Sequence, residues 1–245
     1  MKAVGISDVG RYRKNNEDAY YIASDNDGRN GNLFIVADGM GGCNAGEVAS
    51  NYAIESFLEY FYDEKNKEDI LDQLAGALIA ANQAVYRKSN SSREFAEMGT
   101  TLVAAAIRDG KIYIVYVGDS RAYLIRKNEI VPLTTDHSYV MELVKLGTIT
   151  REEAATHPKR NIITRAIGLN KSVEVDAVVQ GIEKGDVLLL CTDGLSGMLK
   201  DGEMLEIILK RISLEKRAQR LLESANNHGG YDNISLILVD IGGKA

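Results

Sequence analysis

Three apolar segments of this chain end in the same way, on an aspartate beside a glycine or a serine. They are 33–39, which ends in Asp38-Gly39, 112–120, which ends in Asp119-Ser120, and 187–194, which ends in Asp193-Gly194. Short apolar runs bounded by turn residues are typical of buried strands. A carboxylate at the tip of such a strand is held in a fixed position. Several tips that converge would therefore form an oxygen-rich site for divalent metal ions.

The composition predicts a globular chain with its own core and excludes some classes of partner. Of the 245 residues, 45% are hydrophobic and 26% are charged, which is ordinary for a globular protein. The formal net charge is −6, and the chain has no block of lysine or arginine. We therefore expect neither nucleic acid nor an anionic membrane surface as a partner.

The sequence also predicts a cytoplasmic location. No segment approaches the roughly 20 apolar residues that span a bilayer, and the N-terminal segment is too short and polar for a secretory signal. The two cysteines, Cys43 and Cys191, suggest neither a disulfide framework nor a zinc site. A reducing compartment is therefore expected. Because no heptad repeat is visible, we also expect a monomer.

Patterns along the chain predict an α+β fold in a single domain, 1–245. Asp109-Gly110 between two apolar runs predicts a tight hairpin, and a second hairpin is expected at Lys127-Asn128. Apolar residues recur at helical spacing in 49–61 and in 71–85. Hairpins interrupted by paired helices favour antiparallel sheets with helices packed outside. The predicted strands are 2–9, 18–24, 32–37, 100–107, 111–117, 173–180, 186–192 and 234–241, and the last helices are 201–210 and 214–227.

Residues 138–160 predict a small helical excursion from the sheets. A short helix begins at Ser138 and stops at Gly147. Thr150 and Glu153 have the spacing of a capping box, which starts a second short helix, and Pro158 ends it. We expect this excursion to form a lid.

Four aspartates are candidate metal ligands: Asp38, Asp119, Asp193 and Asp232. Gly39 lets the backbone approach a ligand closely, and its carbonyl oxygen could join the metal shell. A surface turn is the alternative for each aspartate, because Asp and Gly are common in turns. An uncompensated carboxylate at the end of the apolar strand 187–191 would be costly to bury. The turn interpretation of Asp193 therefore becomes weak only if Asp38 is nearby.

The segment around Arg13 adds a cation and two more carboxylates. A solvated basic loop is the ordinary interpretation, but the planar guanidinium of Arg13 also suits phosphate oxygens. Glu17 and Asp18 could order metal-bound water. No nucleophile elbow or phosphate-binding glycine loop is present. The histidines lack the spacing of a zinc site, and structural roles are predicted for them; they are His137, His157 and His228.

In their order along the chain, these motifs resemble those of the metal-dependent protein phosphatases, the type 2C serine/threonine phosphatases, and most of all their compact bacterial members. Any one motif is weak, but eight in order from near residue 4 to near residue 240 are very specific. The motifs are Arg13 with Asn15-Asn16-Glu17-Asp18, Asp38-Gly39-Met40-Gly41-Gly42, Gly99-Thr100-Thr101, Gly118-Asp119-Ser120-Arg121, Asp136-His137-Ser138, Thr164-Arg165-Ala166-Ile167-Gly168, Thr192-Asp193-Gly194 and Asp232-Asn233.

The resemblance implies a four-layer αββα sandwich, in which two antiparallel sheets face each other and helix pairs cover both. It also implies a mobile flap over about 138–165 and two bridged Mn²⁺ or Mg²⁺ ions at one end of the sheets. By motif, Asp38 would bridge both ions and the Gly39 carbonyl would join the second. Asp193 and Asp232 would hold the first ion. Asp119, with Asp193, would match a possible third and weaker metal position.

The activity implied by the resemblance is hydrolysis of phosphoserine and phosphothreonine by direct attack of a metal-bridging hydroxide. Arg13 would bind the non-bridging phosphate oxygens, and Asp38 and Asp193 would be indispensable. Met40 follows the Asp-Gly pair, where some relatives have a histidine that donates a proton. Methionine cannot do so, and either a metal-bound water or another group, such as His157 on the flap, would replace it.

Two other functions stay open from the sequence: a phosphatase of small phosphoesters, and a non-catalytic pseudophosphatase. The second would have lost some ligands, whereas all of them are present here. The resemblance implies phosphoproteins as partners, together with the serine/threonine kinase that such bacterial phosphatases commonly oppose. Carboxylates and water accept both Mn²⁺ and Mg²⁺, so the sequence does not choose between them.

Overall fold

Two antiparallel sheets and seven helices make up the described part of the computed structural model, which covers residues 1–23, 32–41, 45–63, 65 and 69–242. The strands are β1 (Lys2–Asp8), β2 (Asp18–Ile22), β3 (Leu33–Met40), β4 (Gly99–Thr100), β5 (Leu102–Arg108), β6 (Lys111–Val117), β7 (Arg121–Arg126), β8 (Glu129–Pro132), β9 (Asp176–Gly181), β10 (Val187–Cys191) and β11 (Ile234–Asp240). The helices are α1 (Ala45–Tyr62), α2 (Ile70–Ser89), α3 (Tyr139–Lys145), α4 (Arg151–Thr156), α5 (Asp193–Ser196), α6 (Asp201–Ile208) and α7 (Leu214–Asn227). Within these ranges, no helix combines the length and the apolar character needed to cross a bilayer.

The strand order differs from the order along the chain. One sheet has the order β1-β11-β10-β7-β8, and the other has the order β2-β3-β5-β6-β9 with β4 paired to the end of β3. The hairpins β5-β6 and β7-β8 join neighbours in sequence, whereas β1 pairs with β11 at the opposite end of the chain. The first sheet therefore forms only when both ends of the chain come together.

Side chains alternate between two environments along the strands, and this alternation creates four layers. On β3, Phe34 and Val36 lie in a buried cluster with Leu188 of β10, which fills the space between the sheets. Leu33 and Ile35 point the other way, into a cluster with α1 and α2. The outer side of β10 and β11 packs in the same manner on α6 and α7. The predicted α+β fold, with two antiparallel sheets flanked by helix pairs, is confirmed.

Some boundaries differ from the prediction, and one of them changes the site. The strand predicted at 32–37 continues to Met40, because Gly39 pairs with Thr100 and Met40 with Gly99. The interpretation of Asp38 and Gly39 as a surface turn is therefore wrong. The strand predicted at 173–180 begins later, at Asp176. Three positions of the sequence predictions, Ser24, Gly42 and Cys43, lie outside the described residues.

The predicted lid contains the two short helices with their expected caps. Ser138 Oγ accepts a hydrogen bond from Met141 N at the start of α3. At the start of α4, Thr150 N donates to Glu153 Oε2 (2.7 Å) and Glu153 N donates to Thr150 Oγ1 (3.2 Å). An antiparallel bridge between Ser138 and Ile163 joins the two ends of the segment. The flap is therefore closed at its base by backbone pairing.

Candidate active site

Asp18 and Asp38 lie directly opposite each other on the paired strands β2 and β3. The alternation along β3 puts Asp38 on the same side as Phe34 and Val36, which is the space between the sheets. Carboxylates that face each other across two strands repel when both are ionised. The pairing opposes folding unless protons or a cation neutralise it. It therefore indicates a site for positive charge at the end of the sheets.

The backbone around Asp38 is fixed by hydrogen bonds to neighbouring segments. Asp38 N donates to Thr101 Oγ1 (3.1 Å), and Asp38 O accepts from Thr101 N (2.9 Å). Gly39 N donates to the carbonyl oxygen of Glu17 at 3.1 Å. A Cβ at Gly39 would collide with the carbonyl oxygens of Glu17 and Gly46. Only glycine at this position lets β3 approach the beginning of α1.

Asp193 is the first residue of α5 and follows the buried strand β10. Asp193 and Asp38 lie close enough for each to shift the pKa of the other. The two sheets therefore contribute to a single acidic cluster. Gly194 packs against the segment before β11, where a Cβ would collide with the carbonyl oxygen of Asn233. This contact fixes Asp193 relative to the loop that carries Asp232.

We expect Gly194→Ala to lower the free energy of unfolding by about 3 kcal/mol, because the added methyl group has no space and the backbone must move. The same displacement would shift Asp193, so enzymatic activity should fall as well. Chemical denaturation measures the first effect. The control is Gly202→Ala in α6, where nothing lies within 4 Å of the new Cβ. That change should be neutral or stabilising by up to about 1 kcal/mol. Equal stability of both variants would contradict the packing argument.

Burial and mutual repulsion raise the pKa values of the clustered aspartates. Burial raises the pKa of Asp18 to about 7, and the charges of Asp193 and Asp232 add to the effect. The pKa of Asp119 is also raised to about 7, by burial and then by Asp193. The pKa of Asp38 is raised well above its ordinary value by burial and by Asp18. Burial and Asp232 likewise raise the pKa of Asp193. The raised pKa values favour the protonated acids, and a bound cation would favour the ionised carboxylates instead.

Arg13 lies at the rim of the cluster, beside Asp232. Its Nη2 is 2.9 Å from Asp232 Oδ2, and its side chain is 48% exposed. Asn233 holds the two loops together, because its Oδ1 accepts from Glu17 N (2.8 Å) and its Nδ2 donates to Val9 O (2.9 Å). The guanidinium group is therefore both anchored to the acidic site and accessible from outside.

Glu17 lies between Arg13 and the beginning of α1. Its Oε2 is 4.0 Å from Arg13 Nη1, and its carboxylate accepts a hydrogen bond from the backbone of Gly46. Burial raises the pKa of Glu17, and Arg13 opposes this shift. The helix N-terminus favours the ionised carboxylate. Glu17 is therefore held beside the acidic cluster as an acceptor.

A buried histidine anchors the turn that carries Asp119. His137 Nδ1 accepts from Gly118 N (3.0 Å), and His137 N donates to Gly118 O (3.0 Å). The imidazole ring stacks on Tyr116 with centroids 5.2 Å apart, and Nε2 is 3.5 Å from Asp176 Oδ2. Burial lowers the pKa of His137. These contacts agree with the structural role predicted for this histidine.

The residues of the cluster fit a hard divalent cation. They are carboxylates, which are the ligands that Mn²⁺ and Mg²⁺ prefer. Asp18 Oδ1 is buried and has no hydrogen-bond partner in the structure. This oxygen could therefore accept a hydrogen bond from bound water or interact with a cation. In the described ranges, no three acidic, histidine or cysteine side chains yet surround one metal position. A bound cation would neutralise the carboxylates of Asp38 and Asp193, which lie close enough for each to shift the pKa of the other.

The structure brings together the acidic residues that the sequence predicted. It also shows two residues, Thr192 and Asn233, that hydrogen-bond to them or to their loops and for which the sequence predicted no role. Thr192 Oγ1 donates to Asp18 Oδ2 (2.9 Å), and Asn233 joins the loops. Both residues stand in motifs of the resemblance, Thr192-Asp193-Gly194 and Asp232-Asn233, but no role for either of them was predicted from the sequence. His157 lies on the flap, where its Nδ1 accepts from Lys159 N (3.1 Å). The predicted residues that come together are Arg13, Glu17, Asp18, Asp38, Gly39, Asp119, Asp193 and Asp232.

Comparison with known proteins identifies the family. The sequence profile of the family described as protein phosphatase 2C matches residues 11–228. The serine/threonine phosphatase Stp of Listeria monocytogenes serotype 4b (strain F2365) is 39% identical over 243 residues, which cover 98% of this chain and 96% of that protein.

Solved structures agree with this match. The serine/threonine phosphatase Stp1 from Staphylococcus aureus superposes with a TM-score of 0.92 at 36% identity, covering 99% of this chain and 96% of that one. The catalytic domain of the serine/threonine protein phosphatase PstP, solved in complex with two manganese ions, has a TM-score of 0.84 at 36% identity, with 98% and 97% coverage. The chain therefore belongs to the protein phosphatase 2C family.

Proposed function

We propose that the protein is a divalent-metal-dependent protein phosphatase that hydrolyses phosphoserine and phosphothreonine at the acidic cluster. The main support is a set of buried aspartates from both sheets whose pKa values are raised together, with an exposed arginine at their rim. Such carboxylates repel one another when they are ionised, unless a cation lies between them. Membership of the family and the names of the similar proteins agree with this function.

The proposed metal ligands are Asp38, Asp193 and Asp232, with the carbonyl oxygen of Gly39. They would hold two Mn²⁺ or Mg²⁺ ions, a number supported by the manganese complex of the similar PstP catalytic domain. Asp119, together with Asp193, would serve a third and weaker position. When bound, the cations would supply a water molecule activated for attack on phosphorus.

The other residues would position the reactants. Arg13 would bind the non-bridging phosphate oxygens, since its guanidinium is accessible while Asp232 holds it in place. Asp18 and Glu17 would orient water through their carboxylates, and Thr192 keeps Asp18 in position. We assign no proton donor to the leaving oxygen, because Met40 cannot donate and His157 contacts flap residues.

The test is hydrolysis of a phosphothreonine peptide before and after chelation. We expect a chelator to lower the rate by more than about 1000-fold, because the aspartates alone cannot activate water, and Mn²⁺ to restore it. A panel of small phosphoesters at equal concentration is the control for substrate class. Turnover that persists in the chelated protein would contradict the metal site. A preference for a small phosphoester over every phosphopeptide would contradict the protein substrate.

The proposed activity implies that the protein binds phosphoproteins as its substrates. We further propose that the enzyme opposes a serine/threonine kinase and acts as a monomer in the cytoplasm. Co-expression with a candidate kinase and measurement of the kinase's phosphorylation would test the first point, and light scattering would test the second.

A further inference from the structure

Two tyrosines form an exposed aromatic pair at the rim of the active site. The rings of Tyr12 and Tyr231 are 4.9 Å apart and tilted by 42°. Tyr12 is 69% exposed and Tyr231 is 57% exposed. Among the described tyrosine and phenylalanine residues, only one other, Tyr20, is exposed. Scattered exposed apolar residues are normal on a protein surface, but two that touch each other beside a site are a feature of a contact surface.

The pair is joined to the phosphate-binding residues through the backbone. Tyr12 directly precedes Arg13, and Tyr231 directly precedes Asp232. Arg13 and Asp232 are in turn connected by the 2.9 Å ion pair. Because consecutive Cα atoms are about 3.8 Å apart, each tyrosine lies one residue from a group proposed to act on the phosphate. The two tyrosines therefore lie in the same two loops as Arg13 and Asp232, which the ion pair joins.

The two loops hold the pair in a defined position. Arg11 N donates to Gly230 O (2.8 Å), and Arg11 Nη2 donates to Asn227 Oδ1 (3.0 Å). The ring of Tyr231 packs over Gly229, where any side chain would collide with it. Tyrosine has few rotatable bonds, so an anchored pair loses little conformational entropy when it is covered. These features make the pair a preformed contact for another molecule.

We propose that the Tyr12–Tyr231 pair is a subsite that binds an apolar side chain of the phosphoprotein substrate, one to three residues from the phosphorylated residue. An extended peptide advances about 3.3 Å per residue, so one to three residues span roughly 3–10 Å from the phosphorylated residue. The inference rests on the proposed phosphatase function and adds a substrate preference to it.

The charges around the pair favour an apolar occupant. Arg11 and Lys14 flank Tyr12 and Arg13 in sequence, so a basic substrate residue would approach several cations. An acidic substrate residue could pair with Arg11 or Lys14, but it would gain nothing from the faces of the two tyrosine rings, whose electrostatic potential is negative. Apolar contact with tyrosine surface is favourable for aliphatic and aromatic side chains alike.

The test uses phosphothreonine peptides with glycine and serine flanks, in which one leucine is moved through the three positions on either side. The measured quantity is the ratio of kcat/KM for the leucine peptide to kcat/KM for the parent peptide, determined with each enzyme. For the unmodified protein we expect a ratio of about 10 at one position or more, as for burial of one apolar side chain. Tyr12→Ala and Tyr231→Ala should each lower this ratio towards one.

Two control variants show whether the aromatic surface itself creates the preference. Tyr12→Phe should keep the ratio, since it keeps the aromatic surface. Ile79→Ala on α2, where Ile79 is 43% exposed, should also keep it. The inference is overturned if no leucine position is preferred, if lysine is preferred to leucine, or if the alanine variants keep the ratio. The inference is also overturned if Tyr12→Ala or Tyr231→Ala changes the molar mass of the protein in light scattering. Such a change would show that a second copy of the chain covers the tyrosine pair. Absence of turnover of the parent peptide would instead contradict the proposed function.

Discussion

Asp38→Asn is expected to lower kcat for a phosphothreonine peptide by at least about 1000-fold, because it removes a proposed ligand at the centre of the cluster. The fold should be unaffected or slightly more stable without metal. Burial raises the pKa of Asp38 well above its ordinary value, which favours the neutral acid in the metal-free protein. Asparagine has nearly the same shape as the protonated acid, and it cannot ionise beside Asp18.

The measurements are steady-state kinetics in Mn²⁺, calorimetric titration with Mn²⁺ and thermal unfolding in chelator. Asp72→Asn, in the first turn of α2, is the control for loss of one negative charge and should keep full activity. A variant at position 38 that retains activity within tenfold of the unmodified protein would show that this carboxylate is not a required ligand. A Tm in chelator that is lower for Asp38→Asn than for the unmodified protein would contradict the raised pKa of Asp38.

Raising the pH from 5 to 8 is expected to destabilise the metal-free protein by about 2 kcal/mol or more, which corresponds to a fall in Tm of about 4–8 °C for a chain of this length. The pKa values of Asp18 and Asp119 rise from 3.8 to about 7 in the folded state. The folded protein therefore binds more protons than the unfolded chain between these pH values. The stabilisation is complete below about pH 4 and is lost as the pH rises through 7.

Bound Mn²⁺ should reverse this pH dependence, because a cation stabilises the ionised carboxylates. Thermal unfolding at several pH values, with chelator and with Mn²⁺, measures both effects. Asp18→Asn is the matched variant: its amide oxygen can still accept from Thr192 Oγ1, but the titrating group is gone. Its Tm without metal should depend less on pH. A metal-free Tm that stays constant or rises from pH 5 to 8 would contradict the raised pKa values.

Much of the fold could be predicted because it depends on local patterns. Asp109-Gly110 determines the β5-β6 hairpin by turn geometry, and Thr150 with Glu153 determines the start of α4 by capping. The end of β3 could not be predicted in this way. Its extension to Met40 requires β4, a two-residue strand that the sequence pattern joins to β5 in one predicted strand over 100–107.

The candidate site was predicted as a set of residues but not as an arrangement. Each aspartate could be recognised by its neighbours in sequence, and resemblance to a family supplied the proposed roles. The cross-strand pairing of Asp18 with Asp38 could not be predicted from the same information. Register depends on how all strands of a sheet pack, and a shift by one residue would have put Asp38 on the opposite face.

The sequence by itself determined the alternation of apolar residues, the helix caps and the acidic tips of the strands, because each depends on residues close together in the chain. The tertiary structure alone decided that β1 joins β11, that Asn233 ties the Arg13 loop to the last strand, and that Tyr12 meets Tyr231. These contacts connect segments more than 200 residues apart. No local pattern specifies them, because they form only when both sheets pack around their common core.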